Sequence, residues 1–223
     1  MKRMLKALRR RVKSVVQSRA ERRHALVGPA QLWELKRSFQ VTFLKAAGLL
    51  PEHTLLDLGC GTLRGGIPLI DYLQSGHYVG IESRQNVLDE GRKELAEAGL
   101  EHKQPLLIAS PDASTLDLEQ RFDFIWAFSV LIHMSNDVLA RSLGFVARHL
   151  ARDGVFYANV NIGTRPEGNW RGFPVVWRTL EFYHAACGTH GLVVADLGTL
   201  KAMGHVTNIE SQDRQRMLRI TRQ

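Results

Sequence analysis

Residues 54–61, Thr54-Leu55-Leu56-Asp57-Leu58-Gly59-Cys60-Gly61, constrain the fold more than any other stretch of this 223-residue chain. An apolar run too short for a helix holds a carboxylate and ends in two glycines one residue apart, and a helical pattern opens at about residue 64. Glycines let the backbone turn sharply there and approach a ligand closely. In open α/β sheets such ligands lie at the carboxyl edge of the strands.

The rest of the chain repeats that plan. Short aliphatic or β-branched runs alternate with longer amphipathic stretches, the pattern of a mostly parallel sheet covered by helices on both faces. Strands are expected near 54–58, 77–82, 105–109, 122–128, 154–161, 191–197 and 215–221, and helices near 31–47, 64–74, 85–98, 135–150 and 174–189. No helical pattern separates the final two strands, so the seventh is expected to return antiparallel through a loop. The length suits one medium domain with appended pieces. The longest uncharged apolar stretch, residues 124–136, is too short to span a bilayer. Cys60 and Cys187 lie in different segments, and the nine histidines are scattered. Neither a disulfide framework nor a metal site is therefore expected, and a reducing cytoplasm is the expected setting.

Charge is concentrated at the start. Residues 1–24 hold ten Lys or Arg against Glu21 alone, whereas the remainder carries twenty basic and twenty-one acidic side chains. The pI of about 9.9 thus belongs to an arm; the body exerts no strong pull on polyanions, and no specific nucleic-acid partner is expected. Leu5, Leu8, Val12 and Val15 fall at helical spacing before Gly28 and Pro29 break the pattern, which divides the chain into a basic amphipathic arm, 1–30, and a domain, 31–223. Four readings of the arm stand side by side: peripheral contact with an anionic membrane, a targeting segment, a basic tail touching RNA, and a solvated tail.

Twenty-one residues after Gly61, the run His77-Tyr78-Val79-Gly80-Ile81 ends in Glu82, a place from which a carboxylate can accept hydrogen bonds from both hydroxyls of a ribose. A dinucleotide site would share these features, so the third glycine of its fingerprint decides. Counted from Gly59, that position is Arg64, which opposes the tight helix–strand packing and pyrophosphate seat that the fingerprint provides.

Leu55-Leu56-Asp57-Leu58-Gly59-Cys60-Gly61-Thr62 resembles the first motif of the class I S-adenosylmethionine-dependent methyltransferases, and Tyr78-Val79-Gly80-Ile81-Glu82 resembles their second. Ser110-Pro111-Asp112-Ala113, residues 122–134 and Leu150-Ala151-Arg152-Asp153-Gly154-Val155-Phe156 are similar to the segments that follow, in order, from about residue 52 onward. The resemblance implies a Rossmann-like seven-stranded fold, S-adenosylmethionine as cofactor, and Asp57, Gly59, Gly61, Arg64, Glu82, Asp112, Ala113 and Phe128 at the cofactor. It assigns Glu82 to the ribose and Asp112 to the adenine amino group, where a turn role is the alternative. Arg64 is placed near the methionyl carboxylate, with a surface ion pair as the alternative. Trp33 and Phe39 are expected in the core, whereas Gln40 could cap the cofactor. Two departures stand out: Leu63 replaces a glycine common in relatives, and a Pro/Gly-rich stretch, residues 163–174, follows the fifth strand, where loops commonly hold the acceptor.

Phe128-Ser129-Val130-Leu131 lacks the tetrapeptide and the Pro-Cys pair that resemble nucleobase-methylating enzymes. The expected acceptor is therefore an oxygen or nitrogen on a small molecule, a sugar or lipid-linked metabolite, by analogy at family level. An NAD(P)-dependent oxidoreductase and a non-catalytic cofactor-binding partner protein are the competing readings. His133 follows the fourth strand at the sheet's carboxyl edge, as a general base for the acceptor or as a helix cap or pocket wall.

Overall fold

The computed structural model describes residues 19–223, so most of the arm's expected helix lies outside the described residues. Its last part, Arg19–Ala25 (α1), is helical. A longer helix, Trp33–Ala46 (α2), leads to the first strand, Leu55–Leu58 (β1). Then follow Gly66–Tyr72 (α3), Tyr78–Glu82 (β2), Gln85–Glu97 (α4), Leu106–Ala109 (β3), Phe122–Ala127 (β4), Asn136–His149 (α5) and Leu150–Val160 (β5). A two-stranded hairpin, Gly168–Trp170 (β6) and Phe173–Val175 (β7), precedes Leu180–Gly188 (α6), Leu192–Thr199 (β8), the short helix Glu210–Asp213 (α7) and Arg216–Arg222 (β9).

Seven strands form one sheet in the order β3-β2-β1-β4-β5-β9-β8. β1 to β5 are parallel, and β9 inserts antiparallel between β5 and β8, the expected Rossmann-like arrangement with its antiparallel last strand. Alternation along each strand sorts the core into two layers. Leu56, Val79, Ile81, Ile125 and Ala127 pack with Leu139, Leu143 and Val146 of α5 and with Tyr183 and Cys187 of α6. Leu55, Tyr78, Phe124 and Trp126 pack instead with Phe39 and Leu44 of α2, Ile67, Leu69 and Ile70 of α3, and Leu88 and Leu95 of α4. Both faces are covered, so every residue of β1 and β2 is buried.

Three sequence expectations need correction. The helix expected over 174–189 begins at Leu180, where the Thr179 side chain accepts from Phe182 N. The preceding residues are held extended, because Val176 N donates to Ile132 O and Arg178 N to Asn161 O. The stretch expected as loop contains the β6–β7 hairpin, whose two-residue turn places Arg171 (φ 53°) and Gly172 (φ 88°) both in the left-handed region. The β8–β9 connection holds α7 and a 3-10 turn, Lys201–Met203, rather than a bare loop. No helix among the described residues is long and apolar enough to cross a membrane.

Candidate active site

At the carboxyl end of β1 the chain turns through Gly59 (φ 80°) and Gly61 (φ 59°), with Gly59 N and Cys60 N both donating to Ile81 O of β2. Glycine is required at both positions by space as well as by φ. A Cβ on Gly59 would lie 2.4 Å from Val130 Cγ2, and one on Gly61 would lie 2.8 Å from Val27 Cγ1. Leu63 keeps the left-handed conformation (φ 61°) that a glycine would adopt freely. Strain of about 1–2 kcal/mol is offset by a side chain fully buried in the second core layer.

Glu82, at the end of β2, is buried and faces this loop. Its Oε2 accepts from Gly61 N (3.1 Å), and its Oε1 accepts from Arg84 N (3.1 Å) and Arg84 Nε (2.9 Å). Ser83 Oγ also donates to Oε1 (3.3 Å), so Oε1 is saturated, whereas Oε2 accepts from Gly61 N alone and keeps a lone pair for a ligand's hydroxyl. Arg84 extends the network: its Nη1 donates to Leu26 O (3.3 Å) and its guanidinium lies 5.6 Å from the Phe173 ring centre. Asp57 is buried, accepts from the Tyr78 hydroxyl at 2.7 Å, and is pushed by burial up to about pKa 6.

Arg64 is neither on the surface nor ion-paired. It is 8% exposed, its Nη1 donates to Val27 O (3.3 Å), and its Nε is buried with no partner among the described residues. Burial lowers its pKa to about 10. Beside it, on α2, Lys36 is 6% exposed and brought down to about pKa 7 by burial and then by the Arg64 charge. A buried guanidinium and a buried amine that is only partly protonated at neutral pH thus face the cleft. Gln40 also lines it, donating to Lys36 O (3.0 Å) and accepting from Trp126 Nε1 (3.0 Å). Trp33 and Phe39 are buried core residues, and Trp33 stacks on His24 at 3.6 Å.

Asp112 lines the cleft but spends its carboxylate locally: Oδ1 accepts from Ser114 N and Oγ, and Oδ2 pairs with Arg141 at 3.2 Å. Ser114's hydrogen bonds hold it below the usual carboxylate range. Ala113 and Phe128 line the same wall, Phe128 stacking on Trp126 at 5.6 Å.

All eight cofactor candidates and His133 therefore border one cleft of about 870 Å³, within the size range of small-ligand sites. His133 ends the 3-10 turn Leu131–His133, and Ser135, not His133, caps α5. Its Nδ1 lies 2.8 Å from Pro174 O. A carbonyl only accepts, so Nδ1 carries the hydrogen and Nε2 keeps its lone pair. The ring lies 5.3 Å from that of Trp170, nearly parallel, and 6.2 Å from that of Phe173. Burial holds its pKa below the usual histidine value, so the imidazole is neutral at neutral pH.

The sequence reading missed several contributors. Val27, Gly28 and Pro29 line the cleft although they fell within the expected arm. Arg23 of the same segment is buried and ion-paired with Glu90, Glu94 and Glu97 of α4. Lys36 and Arg84 complete the set, whereas Trp170 and Phe173 fall in the 163–174 stretch expected near the acceptor; a lysine beside Phe39 and Gln40 on the inward side of α2 was the one available signal.

Residues 56–156 match the family model of a methyltransferase domain. Among solved structures, magnesium protoporphyrin IX methyltransferase from Synechocystis PCC 6803, crystallised with bound SAM, is 18% identical with a TM-score of 0.64 and covers 86% of this chain and 81% of its own. The glycopeptide N-methyltransferase MtfA in complex with S-adenosyl-L-methionine is 16% identical with a TM-score of 0.64, over 84% of this chain and 94% of its own. The CcbJ methyltransferase from Streptomyces caelestis is 15% identical with a TM-score of 0.63, over 87% and 91%. At such identities these likenesses establish the fold. No curated protein matches the chain at a significant level. Motif order, sheet topology and the domain match together give the chain a methyltransferase domain on a Rossmann-like fold. The domain match runs from Leu56 within β1 to Phe156 within β5, the part of the sheet that carries the glycine loop and Glu82.

Proposed function

We propose that this chain methylates an oxygen or nitrogen of a small-molecule acceptor, a sugar or lipid-linked metabolite, with His133 as general base. The carrying observation is that one cleft joins the glycine loop to an aromatic chamber into which a neutral imidazole is built. On this reading Glu82 accepts the ribose hydroxyls, Asp112, Ala113 and Phe128 border the adenine, and Asp57, Lys36 and Arg64 face the methionyl end. The fit is supported by the orphaned Arg64 Nε, a buried donor suited to a carboxylate, and by the lone pair that Glu82 Oε2 keeps beside its bond from Gly61 N.

When bound, S-adenosylmethionine supplies an electrophilic methyl group, its carbon–sulfur bond breaking with the electron pair left on sulfur. The chain's own residues hold the acceptor and move a proton. Trp170 and Phe173 wall the chamber and shield the imidazole from solvent. The carbonyl of Pro174 fixes the tautomer, so that Nε2 can take the proton which the acceptor's O–H or N–H loses. Most of the rate comes from holding the reactants close and aligned.

Incubation with methyl-labelled S-adenosylmethionine and fractionated cell extracts tests this. Label should enter a small-molecule fraction, and the yield should fall in His133→Gln. Label confined to protein or nucleic acid would refute the proposed acceptor class. The arm's membrane contact is a separate proposal: full-length protein should float with anionic vesicles at low salt, and a form lacking residues 1–18 should not.

A further inference from the structure

The charged side chains of the cleft do not balance. Four guanidiniums line it, Arg64, Arg84, Arg141 and Arg165, together with the Lys36 amine, which carries part of a further charge because burial brings it down to about 7, against three carboxylates, Asp57, Glu82 and Asp112. Two pairs close within the site, Arg84 with Glu82 at 2.9 Å and Arg141 with Asp112 at 3.2 Å. Lys36, Arg64 and Arg165 have no ion pair among the described residues, and Asp57 is engaged by Tyr78. S-adenosylmethionine adds a sulfonium and an ammonium against one carboxylate. Its binding therefore leaves the cleft more positive, and walls of low dielectric concentrate that potential on whatever binds next.

Arg165 sits where that second ligand would lie. It belongs to the segment joining β5 to the hairpin, is exposed, borders the chamber, and makes no hydrogen bond, ion pair or ring contact among the described residues. Trp170 and Trp177 line the same chamber. Gln212, from α7, also lines it, and its Oε1 is buried without a donor. Flat indole faces suit the C–H face of a saccharide, an unsatisfied amide oxygen suits a hydroxyl, and a guanidinium fork suits a phosphate or carboxylate.

We infer that the methyl acceptor is an anionic glycoside, its ring packed on the indoles of Trp170 and Trp177 and its anionic group held by Arg165. This rests on the methyltransferase reading above and narrows its substrate class. The anion is either a phosphate or a carboxylate, since a guanidinium binds both in the same way.

Full-length protein saturated with S-adenosylhomocysteine is titrated calorimetrically with glucose 1-phosphate, glucuronic acid and methyl glucoside. At least one anionic sugar should bind ten-fold or more tightly than the neutral glycoside, and the stronger of the two identifies the anion. Arg165→Gln should erase the preference and Arg165→Lys should keep part of it, with S-adenosylhomocysteine affinity unchanged in both. Trp170→Ala should weaken all three sugars. Equal binding of charged and neutral sugars, a preference that survives Arg165→Gln, or no sugar binding at all would overturn the inference while leaving the methyltransferase reading intact. Failure of S-adenosylhomocysteine itself to bind would overturn both.

Discussion

Glu82→Ala removes the acceptor at the centre of the cofactor loop, and its two consequences can be separated. In the unliganded protein the carboxylate accepts from Gly61 N, Arg84 N and Arg84 Nε while buried. Hydrogen bonds to a charged group contribute about 1.5–3 kcal/mol. The Arg84 side chain is 28% exposed and can turn to solvent, so its pairing contributes little of that. The buried Gly61 N–H cannot turn away, and a net destabilisation of about 2–3 kcal/mol follows. For a domain of this size that lowers the melting temperature by about 4–12 °C. Loss of a charged acceptor for the ribose hydroxyls weakens S-adenosylhomocysteine by about 1.5–3 kcal/mol, roughly 10–150-fold. Arg84→Ala is the control: it keeps the carboxylate and its bond to Gly61, so affinity should fall far less. Calorimetric titration and thermal melts of all three proteins read both effects. A Glu82→Ala protein that melts normally and binds within threefold of wild type would refute the role given to this carboxylate.

Gly59→Ala should lower the melting temperature more than Gly61→Ala. Both force an L-residue into positive φ, but the first drives Cβ to 2.4 Å from Val130 Cγ2, whereas the second meets Val27 of the N-terminal segment at 2.8 Å; Val130→Ala should partly rescue the first. His133→Gln and His133→Ala should reduce kcat by about 10²–10⁴-fold with cofactor affinity unchanged, and the acid limb of the wild-type pH–rate profile, lying below the ordinary histidine value, should vanish. Lys36→Met should stabilise the protein yet weaken S-adenosylhomocysteine. Burial brings Lys36 down to about 7 from 10.5, so between those values the unfolded chain binds more protons and wild-type stability rises with pH. The gain from Met is therefore largest below pH 7 and shrinks above it, which melts at pH 6 and pH 9 would show.

The sheet was legible because its signals are local. Thr54 to Gly61 sets strand, turn and helix in one run, and the fully buried β1 and β2 follow from short, mainly apolar segments, each carrying a single carboxylate, Asp57 or Glu82. The hairpin was not legible, since its turn puts an arginine, Arg171, in a left-handed conformation that sequence rarely signals. The start of α6 was misplaced because residues 176–178 are held extended by Ile132 O and Asn161 O, partners distant in sequence. Of the site, the loop, Glu82 and His133 could be read from motifs. Lys36, Arg84 and Val27 could not, because each reaches the cleft through packing of α2, the β2–α4 turn or the N-terminal segment.

The central claim, that this cleft binds S-adenosylmethionine, is tested most directly by titrating the full-length protein with S-adenosylhomocysteine and, in parallel, with NADH. S-adenosylhomocysteine should bind one to one with a Kd on the order of micromolar and raise the melting temperature, while NADH does neither; heat and stabilisation from NADH with none from S-adenosylhomocysteine would contradict it.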